Sequence, residues 1–481
     1  MINNIVPTPK SVKSFDGNTT VELLLNCEEE SFGEYATTLK EGFKKLFKVT
    51  LKDGFGGVTL RKDDTLPPQA YRYDSTDGIV LSATSAEGIL YAIATLLLTA
   101  TVKDGKLTVS RAVIEDYPEK EFRALMVDLA RAWHPAYTVY QYIDLCFILK
   151  IKYLHLHFID NERYTLPSKS FPLLNGEESY TYGEIAEMRE RAKARGVVII
   201  PELEVPGHAA KLTEAYPKIF ANEIDCDVET AKTENGTVIT DASVVCAGKS
   251  EIMNAVKTLL KETCELFPDA PYIHIGGDEA NIKVWSSCPH CREYMAKNNI
   301  SGIYELYSEF VGRTAKAVLE LGKTPIVWEG FPKEGVAHIP KETVVIAWET
   351  MYHMPYDLVK EGFKVINASW KPLYVVPNPE PRFNWGITDI IDTWSVYNWQ
   401  HWYEKSEAYK KPIDIEPTEQ LIGAMLCLWE CTFEQEINRG MNNLAALSEK
   451  TWSVESRFSG IDFIRRATPS INRIARLIQS V

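Results

Sequence analysis

Between Phe122 and Trp429 the chain alternates eight short apolar runs with longer amphipathic or polar stretches, and this alternation restricts the fold more than any other feature. The runs are Ala124–Leu129, Tyr153–Phe158, Val197–Ile200, Tyr272–Ile275, Thr324–Trp328, Thr343–Trp348, Phe363–Ala368 and Ala424–Trp429. Helical spacing marks the intervals Val139–Leu149, Tyr182–Ala194, Ile252–Leu266 and Ile303–Leu321. Eight strand-then-helix units over roughly 330 residues predict an α/β protein, a parallel (β/α)8 TIM barrel with inserted loops. A doubly wound open sheet would share the alternation, but no glycine-rich nucleotide fingerprint follows any run.

Ahead of the barrel, residues 1–117 read as a small α/β domain. Glu34 to Phe47 has helical spacing, Gly78–Ala83 is strand-like, and Ser85 stands as a possible cap on a helix reaching Thr99. Leu107–Val109 and Ala112–Ile114 suggest two further strands. No chemical motif falls here, so the expected role is structural. The join lies at Glu115-Asp116-Tyr117-Pro118, and residues 118–481 form the expected catalytic barrel. A net charge of −14 argues against nucleic acid or an anionic membrane as partner. No apolar run is long enough to span a bilayer, and Met1–Pro7 lacks the features of a secretion signal. Nine cysteines, an odd number, give no disulfide framework. A cytoplasmic protein is the expectation; the sequence sets no oligomeric state.

The ends of the eight runs carry the chemistry. In chain order they present Asp128 and Arg131, Asp160, Glu202 and Glu204, Asp278 and Glu279, Trp328 and Glu329, Trp348 and Glu349, Trp370 with Tyr374, then Trp429 and Glu430. Barrel sites assemble at that face from several strands. Tryptophan faces cover the apolar faces of a pyranose while charged groups bind its hydroxyls, so this set describes a sugar site. In His274-Ile275-Gly276-Gly277-Asp278-Glu279 a strand delivers two adjacent acids. Their mutual repulsion raises the pKa of one, which suits a general acid.

The hexapeptide His274–Glu279 is highly specific, and with it the chain resembles the family 20 glycoside hydrolases, the β-N-acetylhexosaminidases. Met126–Arg131, His155–Asp160, Pro201–His208 and Leu428-Trp429-Glu430 support the resemblance, as does the small leading domain. What it implies is hydrolysis with retention and no enzymic nucleophile: the substrate's 2-acetamido oxygen attacks the anomeric carbon, forming an oxazolinium ion. By resemblance Glu279 is the general acid and then base, and Asp278 holds the acetamido N–H. Tyr374 orients the acetamido oxygen, and Asp160 and His208 form a relay to the acid. Trp328, Trp348 and Trp429 wall the sugar, while Arg131 and Glu430 grip its distal hydroxyls. The implied partners are β-N-acetylhexosaminide glycans, with no cofactor. Two segments depart from the family pattern: Asn161-Glu162-Arg163-Tyr164 replaces Asp-Gln-Gly-Trp, and Val375-Val376-Pro377 lacks an acid often found after the tyrosine. Both bear on glucosamine versus galactosamine preference.

Other readings weigh less. Cys288-Pro289-His290-Cys291 is a single C-x-x-C without a matching pair, and Cys427 and Cys431 sit near a different strand, so no metal is expected. His155 and His157 share a strand face, as in metal-dependent barrel hydrolases, but His274, His338, His353 and His401 are not expected to complete a ligand set. An idle sugar-binding protein on the same scaffold has no support, since acid, aspartate and tyrosine are all present. Trp394, Tyr397, Trp399 and Trp402 could stack near the site or pack the core equally well.

Overall fold

The protein, seen in a computed structural model, is described at residues 2–223, 231–232, 238–239, 243–377, 383–455 and 457–479. Its N-terminal sheet contains β1 Ser11–Glu22, β2 Leu24–Cys27, β3 Lys52–Asp53, β4 Val58–Lys62, β5 Tyr71–Asp74, β6 Ile79–Ala83, β7 Thr101–Lys103 and β8 Lys106–Asp116. The order is β1-β8-β5-β6-β4-β2-β3, with β7 against β8. Helix Ala86–Thr99 packs on β5 and β6, and the Ser85 side chain caps it by accepting the Gly88 N–H at 3.1 Å.

The two short strands expected between 107 and 114 are one strand, β8. Its inside–outside alternation slips at Ser110-Arg111, opposite an irregularity between Ser14 and Asn18 of β1. A bulge of that kind breaks the period-two pattern without ending the strand. β1 itself was not expected: it is an edge strand whose residues are mostly solvent-exposed, so no apolar alternation marks it.

The barrel strands are β9 Phe122–Asp128, β10 Tyr153–His157, β11 Val198–Glu202, β12 Tyr272–His274, β13 Thr324–Trp328, β14 Val344–Ala347, β15 Lys364–Asn367 and β16 Leu421–Leu428. Each pairs in parallel with the next, and β16 pairs with both β15 and β9, which closes the ring and excludes an open sheet. Closure requires a glycine at 423, where an added Cβ would fall 1.7 Å from the Phe122 carbonyl oxygen. Phe122 and Tyr153 stack at 4.6 Å, with Tyr272 edge-on, and plug the end of the barrel where the strands begin. Above them Met126, Ile200, Ile326, Ile346, Ile366 and Met425 fill the middle. Filling these lower layers leaves the C-terminal mouth as the place for chemistry.

Where the sheet meets the barrel, Asp116 is fully paired. It accepts from Lys150 Nζ at 3.1 Å, Tyr71 OH at 2.8 Å, Trp452 Nε1 at 2.7 Å and the Lys10 N–H at 2.9 Å. Arg473, on the C-terminal helix Gly460–Gln479, donates to the Leu97, Leu98 and Ala100 carbonyls at the end of helix Ala86–Thr99. No helix among the described residues is long and apolar enough to cross a membrane.

Candidate active site

Past the end of β12 the backbone turns sharply at two glycines, Gly276 at φ +67° and Gly277 at φ +90°. A side chain at 276 would collide with the Glu204 carboxylate, since its Cβ would lie 1.8 Å from Oε1. Glu204 Oε1 instead accepts the Gly277 N–H at 3.1 Å. Tyr307 fixes the other side, donating its hydroxyl to the Gly277 carbonyl at 3.1 Å. Thus the turn is clamped from two directions before it presents Asp278, which is buried, and Glu279, whose side chain is 47% exposed at the mouth. The roles of Glu204 and Tyr307 were not evident from the sequence, because both reach the turn from other elements.

Behind the acid pair runs a chain of charges. Arg131 Nη2 lies 2.6 Å from Asp160 Oδ2, which also takes His157 Nε2 at 3.0 Å. Asp160 Oδ1 faces His208 Nδ1 at 3.3 Å, and His208 Nε2 stands 3.6 Å from Asp278 Oδ2 and 3.8 Å from Glu279 Oε1. Burial opposes charge on both Asp160 and His208, yet their partners win. Arg131 and His208 hold the Asp160 carboxyl well below its usual range, while Asp160 and Asp278 push the His208 imidazole well above its own. Glu279 is shifted in the opposite sense. Although half exposed, it is crowded by the protein around the mouth, and that loss of water raises its pKa to about 7; the cationic His208 pulls it back in part, and Asp278 adds to the rise. An acid poised there can both give and take a proton near neutrality.

Aromatic rings line the adjoining wall. Trp328 meets Trp348 at 6.3 Å and Trp429 at 5.8 Å between centroids, and Tyr374 stacks parallel to Trp348 at 6.0 Å. Tyr374 and Val375 pair with Cys427 and Leu428 of β16, which brings the tyrosine alongside Trp429. The Arg131 guanidinium lies over the Trp429 ring at 5.0 Å, and its Nε is 3.9 Å from Glu430 Oε1. All ten residues singled out from the sequence therefore border one mouth. Two buried polar atoms there, Asp278 Oδ1 and the Tyr374 hydroxyl, make no well-formed hydrogen bond among the described residues, although the Trp429 indole and the Cys427 thiol lie beside the hydroxyl.

Several strand-end groups have other work. Glu329 is buried and accepts five backbone N–H groups, from Glu349 through His353, which shapes the loop after β14. Glu202 collects His155, His157 and His274 beneath the mouth, with Trp328 Nε1 donating to it at 2.8 Å. His274 thus joins the two β10 histidines around one carboxylate, whereas the sequence did not lead to the expectation that it would complete a set with them. His155 stacks on it at 4.5 Å. Burial lowers His155 to about 4, whereas for His157 Glu202 and Asp160 outweigh burial and raise it to about 10. Trp394 and Trp399 belong to the core, the latter donating to the Ala347 carbonyl at 2.9 Å. Trp402 instead meets Trp370, which stacks on Tyr374 at 4.6 Å. In the segment that departs from the family pattern, Arg163 Nη1 donates to the Ala130 and Arg131 carbonyls and braces the arginine's loop.

A mouth of this kind can protonate a leaving oxygen while indole faces hold a pyranose, which is the chemistry of a glycosidase. The profile of the glycosyl hydrolase family 20 catalytic domain matches residues 121–455, and that of the family's domain 2 matches residues 3–117. The chain belongs to glycosyl hydrolase family 20 and is a glycosidase acting on N-acetylhexosamine. It is 32% identical over 370 residues to a beta-hexosaminidase of Akkermansia muciniphila, an alignment covering 72% of each chain. Against a beta-hexosaminidase of Vibrio furnissii it is 28% identical over 424 residues, covering 80% of this chain and 67% of that one. A family 20 exo-beta-N-acetylglucosaminidase of Vibrio harveyi shares the fold with a TM-score of 0.82 at 22% identity, over 99% of this chain and 78% of its own. A beta-N-acetylhexosaminidase of Bacteroides fragilis gives 0.75 at 25% identity, over 94% and 91%.

Proposed function

We propose that the protein removes terminal β-linked N-acetylhexosamine with retention, using the substrate's own acetamido oxygen as nucleophile. Glu279 gives its proton to the leaving oxygen as the acetamido carbonyl oxygen closes on the anomeric carbon, forming an oxazolinium ion. Glu279, now a carboxylate, takes a proton from the water that opens this ion. Asp278 accepts the acetamido N–H and balances the growing positive charge, and the Tyr374 hydroxyl donates to the acetamido oxygen. Holding that oxygen in line makes the attack intramolecular, worth about 7 to 11 kcal/mol in well-oriented cases. Arg131 and Glu430 bind the distal hydroxyls, Trp328, Trp348 and Trp429 wall the ring, and the Asp160–His208 relay sets the proton affinity of Glu279. Residues 1–117 take no part in this chemistry and support the barrel through the Asp116 seam.

The observation that carries the reading is the pairing of a near-neutral acid with two buried polar atoms, Asp278 Oδ1 and the Tyr374 hydroxyl, that make no well-formed hydrogen bond among the described residues. A buried polar group of this kind is costly unless a ligand completes it. The test compares rates on aryl N-acetylglucosaminide, N-acetylgalactosaminide and plain glucoside. The N-acetyl sugars should be cleaved and the glucoside should lag by about 10³-fold or more, since it lacks the internal nucleophile. Equal rates on the glucoside, or a trapped covalent sugar–carboxylate adduct, would overturn the reading.

A further inference from the structure

The Cys288-Pro289-His290-Cys291 turn is not alone in space. Cys246 Sγ lies 3.6 Å from Cys288 Sγ and 3.6 Å from Cys291 Sγ, and all three side chains are buried. The three sulfurs lie within 4.8 Å of one another. A disulfide requires sulfurs about 2.05 Å apart, far closer than these. Thiolates about 2.3 Å from a tetrahedral zinc ion sit about 3.8 Å from each other, which this triad nearly matches.

The surrounding backbone is arranged for negative sulfur. Cys288 immediately precedes helix Pro289–Asn298 and Cys291 lies in its first turn, where the helix start favours negative charge. The Gly248 N–H is directed at Cys246, and the Cys291 and Glu223 N–H groups at Cys288. Gly248 must be bare, because a Cβ there would lie 2.3 Å from the His290 carbonyl oxygen and 2.6 Å from Cys291 Cα. The two turns interlock closely enough to converge their sulfurs on one point.

We propose that Cys246, Cys288 and Cys291 bind a structural zinc ion as thiolates, with a water or further side-chain donor completing the tetrahedron. The ion would fasten two loops of the active site to one anchor. On one side, the Ala209 N–H donates to the Ser243 carbonyl and the Val245 N–H to the Pro206 carbonyl, each at 2.9 Å, holding the segment that carries His208. On the other, Trp285 Nε1, six residues beyond Glu279, donates to the Val245 carbonyl at 2.9 Å. The cysteines touch no reacting atom, so their effect is on the stability of this frame.

The test is elemental analysis of the untagged protein after dialysis against metal-free buffer. About one zinc per chain is expected, released when a mercurial blocks the thiols, with a zinc-edge absorption spectrum fitting sulfur at about 2.3 Å. Cys246→Ser should reduce bound zinc at least about tenfold and lower the thermal midpoint, because a lost ligand weakens a structural site and folding together. Cys146→Ser, a buried thiol outside the triad, should keep its zinc. Metal below about a tenth of an equivalent in the parent protein, with all thiols free or with a disulfide in their place, would overturn the proposal. That measurement decides even if Cys246→Ser does not fold.

Discussion

Two buried charge networks, one at the seam below the barrel and one at its mouth, use similar parts toward opposite ends. At the seam, Asp116 is saturated by Lys150, Tyr71, Trp452 and a backbone N–H, and Tyr71 OH also meets Thr95 Oγ1 at 2.7 Å. Every group there finds its partner inside the protein. At the mouth, the line from Arg131 through Asp160 and His208 ends on Asp278 and Glu279, where one carboxylate oxygen has no hydrogen-bond partner among the described residues and the other acid faces solvent. A closed network can only hold the fold together, while an open one keeps binding capacity for a molecule that arrives later. Substitutions in the first should therefore cost stability and spare rate; substitutions in the second should do the reverse.

The largest separation comes from Glu279→Gln. Loss of the general acid should reduce kcat/KM on an N-acetylglucosaminide by about 10² to 10⁴-fold, most for poor leaving groups. The thermal midpoint should not fall below that of the parent, because Glu279 makes no hydrogen bond among the described residues and its raised pKa means that the fold disfavours its ionised form. Calorimetry together with steady-state rates checks both halves, and a variant of normal rate would refute the assignment. At the seam, Lys150→Met leaves Asp116 buried without its cation. Breaking a buried pair in this way costs about 3 to 5 kcal/mol, readable by urea unfolding. The rate of the folded fraction should not change; a large loss of kcat would mean that the seam reaches the site.

The pH profile sharpens the contrast next. With Glu279 near 7, the reactive enzyme is the protonated form, so kcat/KM should fall as pH rises through about 7. The cationic His208 favours the ionised form of Glu279 and so holds its pKa down. Replacing it in His208→Gln should move the alkaline limb to higher pH while lowering the plateau. An unmoved limb would show that the relay does not set the acid's proton affinity.

The order and type of the eight barrel strands were legible because each is a short, mostly apolar run set between longer helical or polar stretches. The helices Tyr182–Ala194 and Ile252–Leu266 have the bounds their spacing predicts. The mouth residues were legible because parallel strands deliver their ends to one face. What escaped were features whose cause lies across the sequence. β1 is polar and exposed, and Glu329 serves a loop twenty residues on. Cys246 joins the Cys288 turn from 42 residues away, so a C-x-x-C that looked unmatched has a third sulfur beside it. Spacing reports neighbours along a helix or strand, not loops brought together by tertiary packing.

The smallest effects discriminate best, because one change, Tyr→Phe, can be made in both networks. Tyr374 is buried with a hydroxyl that makes no well-formed bond among the described residues, so its removal should leave stability equal or higher by up to about 1 kcal/mol. The same change should lower kcat/KM on N-acetyl sugars, since the acetamido oxygen loses its donor, by about tenfold for a bond near 1.4 kcal/mol. Tyr71 has the same side chain and similar burial, but its hydroxyl donates to Asp116 and receives Lys150 at 2.7 Å. Tyr71→Phe takes one donor from a buried carboxylate and one acceptor from a buried ammonium, costing about 1 to 3 kcal/mol with no change in rate. Opposite signs of the two stability changes would establish that the mouth is an open network and the seam a closed one. If Tyr374→Phe destabilised as much as Tyr71→Phe, the Tyr374 hydroxyl would be firmly bonded to its neighbours Trp429 and Cys427 and could not be reserved for substrate.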